Sequence, residues 1–264
     1  MNSLQRSVVT KTGYDHGWEV AVEDAVAGRV TLTSAHHRTE AAVRLNSASS
    51  GWLIQLPSGR LPDELARVEG IEMPTSACFL ARTERDLGRL LDHAARLARS
   101  LPDLPCQQFE QAVAQELSGL SGPTAATEVE RMVRQRVGQQ VYRQSLMDYW
   151  GGACAVTGIA VPELLRASHA RPWAECRTDE ERLNVFNGFL LAAHLDALFD
   201  RHLMTFSETG EAILAPSLTP EVRHKLALGD NLRLRWISPN HMPFLQEHRM
   251  QFDSLRMGVN RSST

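Results

Sequence analysis

The stretch from Cys154 to Phe206 concentrates residue types that can do chemistry. His169 closes the run Leu165-Arg166-Ala167-Ser168-His169, and an imidazole titrating near neutrality suits it to take a proton from water. Asp196 and Asp200 stand four residues apart in His194-Leu195-Asp196-Ala197-Leu198-Phe199-Asp200. On a helix that spacing puts both carboxylates on one side, where they could share a divalent ion. Arg171 and Arg201 are close by in sequence and could clamp a phosphate. A base, an ion acting as Lewis acid and a cationic group are together what phosphodiester hydrolysis requires.

These groups need elements to hold them. Val161 to His169 is expected to be a strand that delivers His169 at its end, Gly188 to Leu191 the returning strand, and His194 to Asp200 a short helix. Upstream, Glu128 to Trp150 has helical periodicity, with Val129, Met132, Val133, Val137, Val141 and Leu146 forming most of an apolar stripe. Its Arg131, Arg134, Arg136 and Arg143 have no acid among them from Arg131 to Gln144, a pattern that suits phosphate binding. Downstream, Leu232 to Ile237 alternates like a strand and Phe244 to Phe252 reads as a closing helix.

Four segments taken in order carry a family resemblance. Cys154-Ala155-Val156-Thr157-Gly158, Ser168-His169-Ala170-Arg171-Pro172-Trp173, Asn187-Gly188-Phe189-Leu190-Leu191 and Leu195-Asp196-Ala197-Leu198-Phe199-Asp200 together resemble the HNH nuclease family. The similar branch runs S-H-x-x-P-W, then N-G-x-L-L, then L-D-x-L-F-D. The resemblance implies a ββα unit clamping one metal ion between hairpin and helix. It implies His169 as general base, and Asn187 as the amide that braces the loop and orients that imidazole.

Relatives often carry an acid or a histidine just before the catalytic His, where this chain has Ser168. The last His that names the family is replaced here by Asp196. Ser168, Asp196 and Asp200 would form an oxygen-rich site, which favours Mg²⁺ or Mn²⁺ over Zn²⁺. His194 is a spare ligand candidate, although two residues of separation place it about 200° around a helix from Asp196. His202 stands where relatives often have glycine.

The chain has 264 residues, 43 % of them hydrophobic and 22 % charged, enough for two globular α+β domains. Trp18 to Glu23, Arg29 to Thr33, Ala41 to Leu45 and Trp52 to Leu56 read as strands of a small antiparallel sheet, followed by helices from Asp86 to Ser100 and about Gln107 to Leu117. Ser118 to Thr127 reads as a linker, which divides the chain into an α+β domain at 1–120 and a nuclease domain at 121–264. Asn260 to Thr264 reads as a frayed tail. No apolar run is long enough to span a bilayer, and the first residues lack the apolar core of a secretion signal, so a cytoplasmic location is expected. Cys78, Cys106, Cys154 and Cys176 include no C-x-x-C pair and are read as reduced thiols.

Net charge is −3. Residues 1–125 hold 12 basic and 15 acidic side chains, and 126–264 hold 16 of each, so the acidic excess lies in the first half. A small α+β module fused to this HNH branch resembles bacterial modification-dependent restriction enzymes. That resemblance implies double-stranded DNA as partner, with a methylated or otherwise altered base read by the first domain. Tyr14, Trp18 and Trp52 are the rings available for such a pocket, and a homodimer would serve to cut both strands. The alternative is an HNH-fold nuclease or DNA-binding protein without modified-base recognition.

Overall fold

In Arg29-Val30-Thr31-Leu32-Thr33 the two apolar residues are buried and the others are not, the period of two expected of a strand with one covered face. The computed structural model describes residues 1–48, 50–68, 70–118 and 126–261, with the side chains of 126, 127 and 256–261 outside the description. The chain divides into two compact units, Met1–Arg99 and Ser100–Thr264.

The first unit is a six-stranded antiparallel sheet with helices. Helix α1 (Ser3–Asp15) starts at Asn2, whose side chain accepts from Gln5 N (2.9 Å) while Gln5 Oε1 accepts from Asn2 N (2.8 Å). Strands β1 (Val20–Asp24), β2 (Arg29–Thr33), β3 (Ala41–Leu45), β4 (Trp52–Gln55), β5 (Glu72–Thr75) and β6 (Cys78–Ala81) pair in the order β1-β2-β3-β4-β6-β5. Val30, Val43, Ile54 and Phe79 lie in register across four strands, and all are fully buried. Helix α2 (Arg60–Leu65) is short, and α3 (Glu84–Ser100) buries Leu87, Leu90, Leu91, Ala94 and Ala95. Helix α1, the β5–β6 pair and α2 were not foreseen from sequence.

The second unit begins with α4 (Asp103–Ser118), which packs along α5 (Ala126–Tyr149). The division falls about twenty residues before the expected boundary, and α4 packs on α5 and on the short helix Asp179–Leu183 of the second unit. Most of the expected linker, 119–125, lies outside the described residues, as do 262–264 of the expected tail. Next come β7 (Leu165–His169), α6 (Asp179–Leu183), β8 (Gly188–Ala192) and α7 (Ala193–Asp200), with α7 packed on both strands of the β7–β8 hairpin. A second hairpin, β9 (Met204–Phe206) with β10 (Ala212–Leu214), and helices α8 (Pro220–Lys225) and α9 (Met242–Arg261) complete the unit.

The strand expected at Leu232 to Ile237 does not form; only an isolated bridge pairs Glu211 with Arg233. In this stretch the Arg235 guanidinium turns inward and donates to Trp150 O (2.6 Å), Ala153 O (2.9 Å) and Cys154 O (3.0 Å). It takes up carbonyls beyond the end of α5 that the helix cannot satisfy itself, and it lies over the Trp236 ring at 4.6 Å. Among the described residues no helix is long and apolar enough to cross a membrane.

Candidate active site

Consecutive residues of a strand point to opposite faces, and the site is built on that alternation. On β7, Ser168 turns toward α7, where its Oγ hydrogen-bonds Asp196 Oδ1. His169 turns the other way, onto the Tyr142 ring of α5. The two faces are held together at Gly188, paired with His169 in the hairpin. A Cβ at Gly188 would collide with both the Ser168 carbonyl and the Tyr142 hydroxyl, so the close approach of α5, β7 and β8 requires glycine there.

His169 is fixed as a neutral, singly tethered imidazole. Its Nε2 lies 2.9 Å from Arg182 O; a carbonyl only accepts, so Nε2 carries the proton and Nδ1 keeps its lone pair. Burial pushes the pKa down from 6.5 to about 4, against the opposing pull of that hydrogen bond. At neutral pH the ring is therefore unprotonated at Nδ1 and competent as a base.

Asn187 is fully buried and ties the β7–β8 loop from inside. Its Oδ1 accepts from Arg171 N (2.8 Å), and its Nδ2 donates to Glu181 O (3.1 Å), Arg171 O (3.3 Å) and Cys176 Sγ (3.3 Å). Its carbonyl accepts from Ala170 N (2.9 Å) and from the Tyr142 hydroxyl (3.0 Å). Arg182 secures the same loop, donating to Cys176 O (2.7 Å) and Trp173 O (3.3 Å) and pairing with Asp179 (2.8 Å). Neither Tyr142 nor the Glu181–Arg182 carbonyls were anticipated. Backbone acceptors leave no mark in a sequence, and Tyr142 sits beside the valine stripe without belonging to it.

The oxygen donors are partly gathered. Ser168 and Asp196 meet directly, whereas Asp200, one turn on, is exposed and makes no hydrogen bond or ion pair among the described residues. His194 is half-buried on α7 and does not join the Ser168–Asp196 pair. No group of three or more His, Cys, Asp or Glu side chains gathers as a metal cage among the described residues. A hydroxyl and a carboxylate still fit a hard divalent ion of the Mg²⁺ type, which keeps several waters and takes only one or two protein carboxylates. His202 follows α7 with φ +52°, the left-handed conformation that favours glycine, and its Nδ1 lies 3.1 Å from His248 Nε2.

Most of the arginines expected to contact DNA have partners within the protein. Arg171 is held by Glu181 (3.0 Å) and Glu247 and lies over the Phe244 ring at 5.0 Å, and those carboxylates raise its already high pKa, so it ties the loop to α9. On α5, Arg134 bridges Glu110 (2.8 Å) and Asp179 (2.7 Å), Arg136 pairs with Glu116, and Arg143 donates to Leu165 O and Pro162 O (both 2.7 Å). Arg131 reaches Glu128 at 3.4 Å. The acids missing from this stretch of α5 are supplied mostly by α4 and α6. Arg201 alone of the six named arginines is exposed with no partner among the described residues. In the first unit, Trp18 is 1 % exposed and donates to Leu91 O (3.0 Å), which makes it core rather than pocket. Tyr14 is exposed on α1, and Trp52 is half-buried on β4.

A hairpin with a tethered histidine at the end of its first strand, an amide-braced loop and a helix offering a carboxylate agrees with one further finding. Residues 154–207 match the model of the HNH endonuclease family. The HNH match begins at Cys154, whose Sγ accepts from Val156 N, Thr157 N and Ala192 N, fastening the turn before β7 to the end of β8. It ends just past β9, so α5, Arg235 and α9 support the HNH stretch from outside it. No curated protein matches the chain.

Proposed function

We propose that the protein is a divalent-metal-dependent DNA endonuclease in which His169 is the general base. The observation that carries this reading is the tether from His169 Nε2 to Arg182 O, which leaves the Nδ1 lone pair unused in the residue that follows Ser168, itself bonded to Asp196 across the other face of β7. His169 takes the proton of the attacking water at Nδ1. Asn187 and Arg182 keep the loop, and with it the imidazole, in place. Asp196 and Ser168, with Asp200 beyond them, would hold one Mg²⁺ or Mn²⁺, which supplies Lewis-acid stabilisation of charge on the scissile phosphate when bound. Arg201, exposed just past the end of α7, would contact backbone phosphate.

The finer reading is a restriction role directed to modified duplex DNA by the first unit. A small nuclease site grips backbone and ion and has few side chains left to read bases, so selectivity must come from other elements. Against it stands the burial of Trp18, which leaves Tyr14 and Trp52 as rings and favours the second reading, an HNH nuclease without modified-base recognition. Paired cuts in a duplex would call for two copies, since each chain carries one such histidine site.

Methylated and unmethylated supercoiled plasmids, incubated with Mg²⁺, Mn²⁺ or EDTA, test both readings. Metal-dependent nicking by the parent, and nicking slower by about 10²- to 10⁴-fold by His169→Ala, is expected. Equal cutting of both plasmids would remove the modification-directed reading, and no cutting under any condition would remove the nuclease.

A further inference from the structure

Three contacts confine the His169 ring, and only one is a hydrogen bond. The Tyr142 ring stacks on it with centroids 3.8 Å apart and planes 18° from parallel. The Trp173 indole meets it edge-on, at 5.8 Å and 88°. Arg182 O holds Nε2. A tether at one ring atom leaves the imidazole free to swing about that bond, and a stacked face together with an edge removes the swing. Tyr142 and Gly138 are one turn apart on α5, and a Cβ at Gly138 would collide with the Trp173 ring. Trp173 thus reaches His169 through a gap that glycine leaves in the helix.

We propose that Tyr142 is a positioning residue for His169 and that Gly138 admits Trp173 as the second wall. The inference rests on His169 being the base. It assigns part of the catalytic geometry to α5, which lies outside the matched residues 154–207.

The test compares Tyr142→Phe, Tyr142→Leu, Gly138→Ala and His169→Ala in the full chain, nicking supercoiled plasmid with Mn²⁺. Thermal melting verifies folding, and proton NMR of the metal-free protein follows the His169 ring. Tyr142→Phe, which keeps the stack, is expected to stay within about threefold of the parent kcat. Tyr142→Leu should lose about tenfold or more in kcat with KM within about twofold, since small misplacements of reacting groups cost rate rather than binding. The His169 ring signals should lose their upfield stacking shift in Tyr142→Leu and keep it in Tyr142→Phe.

A folded Tyr142→Leu with parental kcat overturns the proposal. So does a Tyr142→Phe as slow as Tyr142→Leu, which would place the effect in the hydroxyl bond to Asn187 O. If Tyr142→Leu does not fold, Gly138→Ala decides: lower kcat at constant KM supports the proposal, and parental kcat with a displaced Trp173 signal overturns it. Parental activity in His169→Ala would instead overturn the base assignment, a failure visible separately from the others.

Discussion

Asn187 reaches His169 through two consecutive carbonyls. Its Nδ2 donates to Glu181 O, and the next carbonyl along, Arg182 O, accepts from His169 Nε2. The amide therefore sets the imidazole by fixing the peptide between them. Asn187→Ala should orphan buried groups in the loop and cost about 1–3 kcal/mol for each one left unsatisfied. Urea denaturation together with nicking assays should find both stability and rate reduced. A stable variant with parental rate would show that the loop holds without the amide.

Removing the base should leave binding intact. His169→Ala is expected to lower the nicking rate by about 10²- to 10⁴-fold with unchanged DNA affinity. Because burial holds the imidazole at about 4, protonation disables the base only below that value, so the acid limb of kcat/KM should fall near pH 4. A limb near 6.5 would mean that the ring is more hydrated in solution than its packing implies.

Ion binding should follow Asp196. Calorimetric titration of Mn²⁺ should lose most of its heat in Asp196→Ala and less in Asp200→Ala, whose carboxylate lies at the exposed end of α7. His194→Ala should bind as the parent does. The reverse ranking would transfer the ligand role to His194.

Arginines should separate by what they touch. Arg134→Ala removes two internal ion pairs and should lower the melting temperature while leaving the salt dependence of DNA binding as it was. Arg201→Ala should weaken binding to every duplex alike and, if it removes one phosphate contact, lower the slope of log K against log salt by roughly 0.9. Fluorescence anisotropy at several salt concentrations reads both.

The hairpin and its helix were legible because their residues are fixed by local chemistry. Gly188 begins β8 where a close approach forbids a side chain, and Asp196 lies on α7 four residues before Asp200, as the spacing required. The central strands β2 and β3 also fall where their alternation placed them. The partners of the α5 arginines were not legible, because a charge pattern along one helix says nothing of the acids that neighbouring elements bring to it. Glu110, Glu116 and Asp179 arrive from α4 and α6, and no periodicity in α5 announces them. The burial of Trp18 was not legible for a related reason: an aromatic in a strand-rich run looks the same whether its ring faces solvent or Leu91.

Arg235 carries a consequence for the order in which the molecule is made. The carbonyls of Trp150, Ala153 and Cys154 receive their guanidinium partner from a residue more than eighty positions later in the chain, and Arg171 waits for Glu247 in the same way. During synthesis the hairpin, its histidine and its acidic helix all leave the ribosome before either clamp exists. Until Arg235 and Glu247 emerge, the hairpin, its histidine and its helix are present without two of the fastenings that hold them.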